Sequence, residues 1–227
     1  MRLKLLYLQF QDYGYFGFIV YLWYIVIGLL FLFHILFILS SKKAENEAQR
    51  RVLIGYSFFC LLFGSTRIFF IISVIYGGSF NVSDNFFLIL GYLTGILAII
   101  SVIFILETYL LKTKKIITLI TLILFILILI SLFGVLTKDF ALYLIYILSP
   151  AAITATIFSY LYLTVKSTGP SQKKAIRVFI GMVLMFIGHF MNTSLFVTYF
   201  PIVPLYLSPL IMILGILLFS LSQLWWK

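Results

Sequence analysis

The sequence predicts an all-α fold, a bundle of seven transmembrane helices that forms a single membrane domain over residues 1–227. Hydrophobic residues make up 64% of the chain and charged residues only 10%, against about 25% charged in an ordinary soluble domain. Apolar runs of about 20 residues, the length that crosses a bilayer, recur from one end to the other. No polar stretch is long enough for a separate soluble domain.

The spans follow one another with short polar loops between them. They are predicted at about residues 16–40, 52–76, 86–111, 115–136, 140–166, 174–198 and 203–225. Because the loops are short, consecutive spans are expected to be antiparallel neighbours. The first span is too long for a signal-peptide core and has no small-residue cleavage site, so we expect it to be retained.

Basic residues predict the orientation. Most of the 16 Lys and Arg residues lie at span ends that share one side, around Lys42, Arg50, Lys114 and Lys173. The positive-inside rule then puts the N-terminus outside and the C-terminus inside. The net charge of +10 is therefore attributed to topology and to anionic lipid rather than to nucleic acid. The Ile-, Leu-, Phe- and Lys-rich, Ala-poor usage favours the plasma membrane of a prokaryote.

Two further patterns concern contact with the membrane. Tyr and Trp residues at the span ends, including Trp23 and Trp225, are expected to anchor the chain at the two interfaces. Span four, Ile116–Leu136, is nearly all Ile, Leu and Phe. It has few of the small residues that helix interfaces in membranes prefer, so it is predicted to face lipid.

Arg67 is the basic residue that lies deepest in an apolar segment. A charge there costs roughly 2.5–3.5 kcal/mol on insertion scales, so it is expected to face other protein or a water-filled cavity. Span six carries the most polar mid-membrane stretch, in which His189 and Asn192 are three residues apart and share a helix face. At 1.5 Å per residue, Arg67 and His189 both lie roughly 13 Å below the outer ends of their spans.

Prolines in spans five and seven extend this pattern. Pro150 and Pro209 are expected to bend their helices and to free carbonyl groups for an arginine donor. The predicted ligand-binding set, in the outer half of the bundle, is Arg67, His189, Asn192, Ser149 and Ser208, with Tyr24 and Thr94 as further candidates. The alternative is a purely structural Arg67, capped by carbonyl groups and by Asn192.

Glu107 is the one acidic residue within a predicted span, close to the inner end of span three. We predict an inner-side salt bridge from Glu107 to Arg51 or Arg177. The alternative is an interfacial carboxylate that reaches water among neighbouring lysines, because exposed ion pairs contribute little. His34 has no evident partner and is assigned no role.

A weak internal repeat links spans two and six. The sequence RVLIG of Arg51–Gly55 matches RVFIG of Arg177–Gly181 at an offset of 126. It indicates either a three-one-three helix plan or a coincidence in an apolar chain. Seven helices with the N-terminus outside resemble microbial rhodopsins and receptor-type bundles, and the same topology with a plain fourth helix is similar to that of the SWEET and PQ-loop transporters. The likeness is one of topology, since span seven has no lysine for a Schiff base and the Pro-Gln motif is missing.

Motifs for catalysis are missing from the sequence. It has no metal-spaced ligand cluster, nucleophile elbow, carboxylate pair or phosphate loop, so we expect neither an enzyme nor a cofactor. The pattern favours a sensor or receptor-like protein that binds a small or lipidic ligand, anionic ones included. The alternatives are a facilitative small-solute transporter and a structural subunit of a membrane complex. The expected partners are the bilayer, the ligand and a cytoplasmic or membrane protein.

Overall fold

The computed structural model describes residues 15–76, 86–110, 115–132 and 138–224. Within these ranges the chain is helical and has no strands. The α-helices are α1 (Tyr15–Ser41), α2 (Glu47–Tyr76), α3 (Phe86–Ile105), α4 (Ile116–Leu132), α5 (Lys138–Lys166), α6 (Gly169–Met191), α7 (Ser194–Tyr199) and α8 (Leu207–Leu224). A π-helical turn, Leu106–Leu110, continues α3.

Six of the described helices are long and apolar enough to cross a membrane. They are α1, α2, α3 with its π-helical turn, α5, α6 and α8. The predicted all-α fold is thus confirmed for the described residues, and six of its helices are candidate membrane spans. The helix α4 is apolar but has only 17 residues, so the predicted count of seven spans and the direction of the termini stay predictions.

The long helices pack in chain order around a ring. Each of α1 to α6 contacts the next one, α6 packs on α8, and α8 returns to α1. The most extensive interfaces are α6 with α8, α2 with α3, and α1 with α2. A further contact joins α3 to α5. The described helices therefore form two groups of three, α1–α2–α3 and α5–α6–α8, with α4 between α3 and α5.

Aromatic side chains fill the centre of the ring of helices. Phe219 of α8 packs on Tyr56 and Phe59 of α2, with ring centroids 5.0 and 5.8 Å apart. Phe37 of α1 completes the group at 5.9 Å from Tyr56. All four rings are buried, and the hydroxyl of Tyr160 in α5 donates to that of Tyr56 at 3.1 Å. We call these four rings the aromatic plug.

Glycines bring α6 and α8 together at backbone distance. A Cβ added to Gly181 would lie 2.5 Å from the backbone nitrogen of Phe219, and one added to Gly215 would lie 2.7 Å from that of Met185. One added to Gly188 would lie 2.8 Å from the carbonyl oxygen of Ser208. Small residues at membrane helix interfaces allow this approach, and it fixes the end of α6 that carries His189.

Polar side chains set two helix ends. The Asn46 carboxamide oxygen accepts from the Gln49 backbone N–H at 2.8 Å, which is an N-cap at the start of α2. At the other site α6 ends at Met191, earlier than the predicted end near residue 198. The Thr193 hydroxyl donates to the carbonyl of Phe190 at 2.7 Å and accepts from the Phe196 N–H at 3.3 Å. Thr193 thereby ends one helix and starts the short α7.

The helix α4 lies at the edge of the bundle. Its described apolar side chains are mostly exposed, among them Ile116, Leu119, Ile120 and Ile123, whereas Ile128 is buried against α3 and α5. This exposure agrees with the prediction that span four faces lipid.

Candidate functional site

The side chain of Arg67 lies in the interior of the bundle, 2% exposed. Its guanidinium carbon is 4.6 Å from the ring centroid of Trp23, 5.4 Å from that of Phe63 and 5.8 Å from that of Phe70. We call these three rings the aromatic cage. Each presents π-electron density to the cation, which is worth about 0.5–2 kcal/mol per contact.

His189 is the hydrogen-bonding partner of Arg67. A terminal guanidinium nitrogen donates to the Nδ1 atom of His189. The His189 ring also packs on Phe63 and Phe70, with centroids 5.7 and 6.1 Å apart. The Nε atom of Arg67 is buried and has no hydrogen-bond partner in the described part of the chain. The predicted meeting of Arg67 and His189 therefore occurs.

The position of His189 depends on α8. His189 lies in the last turn of α6, and the Ser208 hydroxyl of α8 donates to the carbonyl of Gly188 at 2.7 Å. This bond satisfies one of the carbonyl groups left open at a helix C-terminus. Ser208 thus holds the helix end beside Arg67 and does not itself contact the guanidinium.

A small cavity adjoins His189, between α2, α3, α5 and α6. Its volume is ≈ 10 Å³, close to the lower limit for one water molecule. The walls include His189, Phe63 and Phe70, together with Thr66, Tyr92 and Gly95. The hydroxyl group of Thr66, a residue of this wall, lies 3.1 Å from that of Thr94. The cavity therefore joins the aromatic cage to a polar edge.

Other residues predicted for the site lie elsewhere. Asn192 is exposed and follows the end of α6. Ser149 lies in α5, and its side chain is outside the described part of the structure. Tyr24 is 53% exposed. Of the predicted set, the structure brings Arg67 and His189 together. Ser208 bonds to the carbonyl of Gly188 beside His189, and Thr94 lies beside Thr66 of the cavity wall.

The two prolines do not supply the observed partner of Arg67, and the predicted bending of their helices stays a prediction. Pro209 is the third residue of α8, where the missing N–H has no carbonyl to bond in any case. Pro150 lies within α5 and is exposed. Arg67 takes His189 and the aromatic cage as partners in place of freed carbonyl groups.

Glu107 has hydrogen-bonding partners at the start of α4 that the sequence did not predict. Its carboxylate is 1% exposed and accepts from the backbone N–H groups of Ile117 and Thr118 at 3.2 and 2.8 Å. It therefore caps the N-terminus of α4, where the helix dipole favours a negative charge. The Arg51 guanidinium bonds to Glu47 and, at 3.0 Å, to the Tyr109 hydroxyl. A pairing of Glu107 with Arg177 stays a prediction.

Sequence reasoning missed the aromatic cage. Trp23, assigned to the interface, is only 7% exposed and faces Arg67. A signal was present for the other two rings, because Phe63 and Phe70 stand four residues before and three after Arg67 and so share its helix face. His34 also has a partner, since its Nδ1 atom lies 2.7 Å from the Ser57 hydroxyl and so ties α1 to α2.

Comparison with known proteins gives the site no assignment. No family model, curated protein or solved structure matches the chain. Within the described ranges, no group of three or more His, Cys, Asp or Glu residues could hold a metal ion. What the site can do chemically therefore follows from its own geometry, a buried guanidinium joined to an imidazole beside a small cavity.

Proposed function

We propose that this chain is an integral membrane sensor that binds a small anionic ligand at Arg67 and His189. One observation carries the proposal: the Arg67 guanidinium is buried, keeps an unpartnered Nε atom, and has no acidic partner among the described residues. Buried charges in proteins are normally paired with an opposite charge. A bound anion would supply that charge.

The aromatic cage offsets the cost of burial only in part. Cation–π contacts attract the guanidinium, but they supply no acceptor for its Nε–H group. Arginine presents its donors in a planar fork that suits a carboxylate or another oxyanion. An anionic ligand beside Arg67 would gain a charge-assisted hydrogen bond, which is roughly twice as strong as a neutral one.

The inner half of the helix ring is closed, and this favours a sensor over a protein that lets a solute pass. The aromatic plug lies on the inner side of Arg67 under the predicted topology, and its rings are in contact across the bundle. A ligand at Arg67 would change the contact between α2 and the end of α6, which is also bonded to α8. Such a shift in helix packing is the signal that a partner protein would detect.

We also propose the number of spans and the orientation of the termini. The helix α4, about 25 Å long at 1.5 Å per residue, would be the seventh span, since it bridges α3 and α5 in the ring and its predicted span continues to residue 136. An odd number of spans puts the termini on opposite sides, with the N-terminus outside by the positive-inside rule. The signalling partner would dock at the basic inner ends of the helices.

The test is thermal unfolding of the purified protein against a panel of small anionic metabolites and lipids. A ligand that binds the folded state raises the apparent stability by mass action. We expect a shift in the wild type that is lost in Arg67→Leu and in His189→Phe. Arg50→Leu, which removes an exposed arginine at the start of α2, is the matched control and should keep the shift.

Two results would reject the sensor. A shift of equal size in all four proteins would place the ligand away from Arg67. No shift with any compound, together with a strong loss of stability in Arg67→Leu alone, would make Arg67 a structural residue and favour the subunit of a membrane complex.

A facilitative carrier is the second candidate, and two cross-bundle bonds favour it. Arg67 with His189, and Tyr56 with Tyr160, both join the α1–α2–α3 group to the α5–α6–α8 group. Along α2 the two bonds are 11 residues apart, about 16 Å at 1.5 Å per residue. Bonds at two depths could open in turn. Saturable uptake of solute into liposomes holding only this protein would identify a carrier, and a sensor gives none.

A further inference from the structure

Two rows of exposed apolar side chains run along the neighbouring helices α5 and α6. The α5 row is formed by Phe158, Leu161, Tyr162 and Val165, and the α6 row by Ile176, Ile180 and Ile187. The spacing within each row puts its members on one helix face. Every one of these side chains is at least 38% exposed, and both helices are candidate membrane spans. The rows are therefore apolar surface that acyl chains can cover.

Each row ends in an exposed lysine, and both lysines lie at the same turn. Lys166 is the last residue of α5, and its Nζ atom is 4.9 Å from the ring centroid of Tyr162 in the α5 row. Lys173 stands one turn before the α6 row, on the same face. Only two residues separate the two helices, and the Gln172 side chain donates to the carbonyl of Thr164 at 3.4 Å. The short turn thus holds the two lysines at one end of the helix pair.

Acidic residues are missing from the sequence around these two lysines. Residues 140–227 contain no Asp or Glu. Asp139, at the start of α5, is about 40 Å from Lys166 along the helix at 1.5 Å per residue. Asp12 and Asp84 lie outside the described residues and precede the starts of α1 and α3, which are at the other end of the bundle. Among the described residues neither lysine forms an ion pair.

Other basic clusters at this end of the bundle have acidic neighbours. Lys42 and Lys43 follow α1, and Glu45 comes next but one in the chain. Glu47, at the start of α2, is paired with an arginine of the same helix. The basic residues before α4 lie beside the buried carboxylate of Glu107. An external anion therefore meets the least acidic repulsion at the turn between α5 and α6.

We infer that the turn between α5 and α6 binds the headgroup of an anionic phospholipid, with its phosphate at Lys166 and Lys173 and its acyl chains along the two rows. The phosphate accepts charge-assisted hydrogen bonds from the ammonium groups. The acyl chains cover the rows, which an acidic peptide in water would leave bare. Basic pockets between membrane helices recognise lipid headgroups in this way. The inference is independent of the proposed sensor site, because Arg67 takes no part in it.

The experiment is native mass spectrometry of the purified protein in detergent, which gives the dissociation constant of the first bound lipid. The probes are dioleoylphosphatidylglycerol and dioleoylphosphatidylcholine, which have the same chains and differ in the charge of the headgroup. The wild type should bind phosphatidylglycerol more tightly. Lys166→Gln combined with Lys173→Gln should weaken this binding about 25-fold, or about five-fold for each lysine, from about 1 kcal/mol per basic side chain.

Two control proteins separate a site from a general attraction. Lys42→Gln combined with Lys43→Gln removes the same charge from exposed positions at the same end of the bundle, and it should leave the dissociation constant nearly unchanged. Lys166→Arg combined with Lys173→Arg keeps both charges and should keep the binding. Because all four lysines are exposed, these substitutions leave the packed interior as it is.

Four results would overturn the inference. An equal loss in the two glutamine pairs would mean that the lipid follows net charge. No loss in Lys166→Gln with Lys173→Gln would place the lipid elsewhere. Equal affinity of the wild type for the two lipids would show that the headgroup is not recognised. Displacement of the lipid by an equal concentration of soluble glycerol phosphate, which has no acyl chains, would assign the turn to a soluble phosphate compound.

Discussion

The backbone contact between α6 and α8 gives a sharp test of how the site is held. In Gly215→Ala the new Cβ would lie 2.7 Å from the Met185 nitrogen and 2.8 Å from the Gly181 oxygen. To reach an ordinary distance of 3.4 Å the helices must separate by about 0.7 Å. Both contacts are backbone atoms that cannot rotate away. Overpacking of this kind costs about 1–3 kcal/mol.

Gly28→Ala supplies the reference for this measurement, because a Cβ at Gly28 has nothing within 4 Å. Both substitutions gain helix propensity, about 0.8–1 kcal/mol, so the difference between the two variants isolates the strain. For a chain of this length about 1 kcal/mol corresponds to ~2–4 °C in unfolding temperature. Gly215→Ala should therefore unfold about 2–12 °C below Gly28→Ala when both are followed by thermal scans in one detergent.

A consequence for the site should accompany the loss of stability. Displacing α6 moves His189 away from Arg67, so anion binding should weaken in Gly215→Ala and stay unchanged in Gly28→Ala. Equal stability of the two variants would refute the backbone contact. A destabilised Gly215→Ala with normal anion binding would show that α8 does not position His189.

Two further substitutions test other parts of the fold. Glu107→Gln keeps one acceptor oxygen and loses the charge at the N-terminus of α4, so it should lower the unfolding free energy by about 1–2 kcal/mol. The control Glu47→Gln, at an exposed site, should change the unfolding free energy by less than about 0.5 kcal/mol. Tyr56→Phe and Tyr160→Phe should show a coupling energy of about 0.5–1.5 kcal/mol in a double-mutant cycle. Additive effects of the two substitutions on the unfolding free energy would contradict the hydrogen bond between the two hydroxyl groups.

The contact between Arg67 and His189 could be predicted because the surroundings are apolar. In an interior with few polar side chains, a buried guanidinium can satisfy its donors at few places. Equal depth in two spans then narrows the choice of partner. The same reasoning failed for Asn192, since it assumed that span six continues to residue 198. The polar run after Met191 holds a helix-ending signal in Thr193, which periodicity alone does not reveal.

The surroundings of Glu107 could not be predicted from spacing. A π-helical turn at Leu106–Leu110 departs from the 3.6-residue period on which face arguments depend. It places the carboxylate under the first turn of α4, where the bonds to Ile117 and Thr118 form. The sequence shows only an acid near basic residues, and that pattern predicts either an ion pair or an interfacial carboxylate that reaches water.

The repeat between spans two and six acquires a physical meaning from its glycines. Gly55 faces α3, where an added Cβ would meet the Ile105 side chain, and Gly181 faces α8, where it would meet the backbone at Phe219. Each glycine thus brings the second helix of its group against the third. The two contacts differ because Gly55 faces a side chain, which can move, whereas Gly181 faces a backbone, which cannot. The α2–α3 pair can therefore adjust, whereas α6 and α8 must move together, and a ligand at Arg67 would act on the His189 end of that rigid pair.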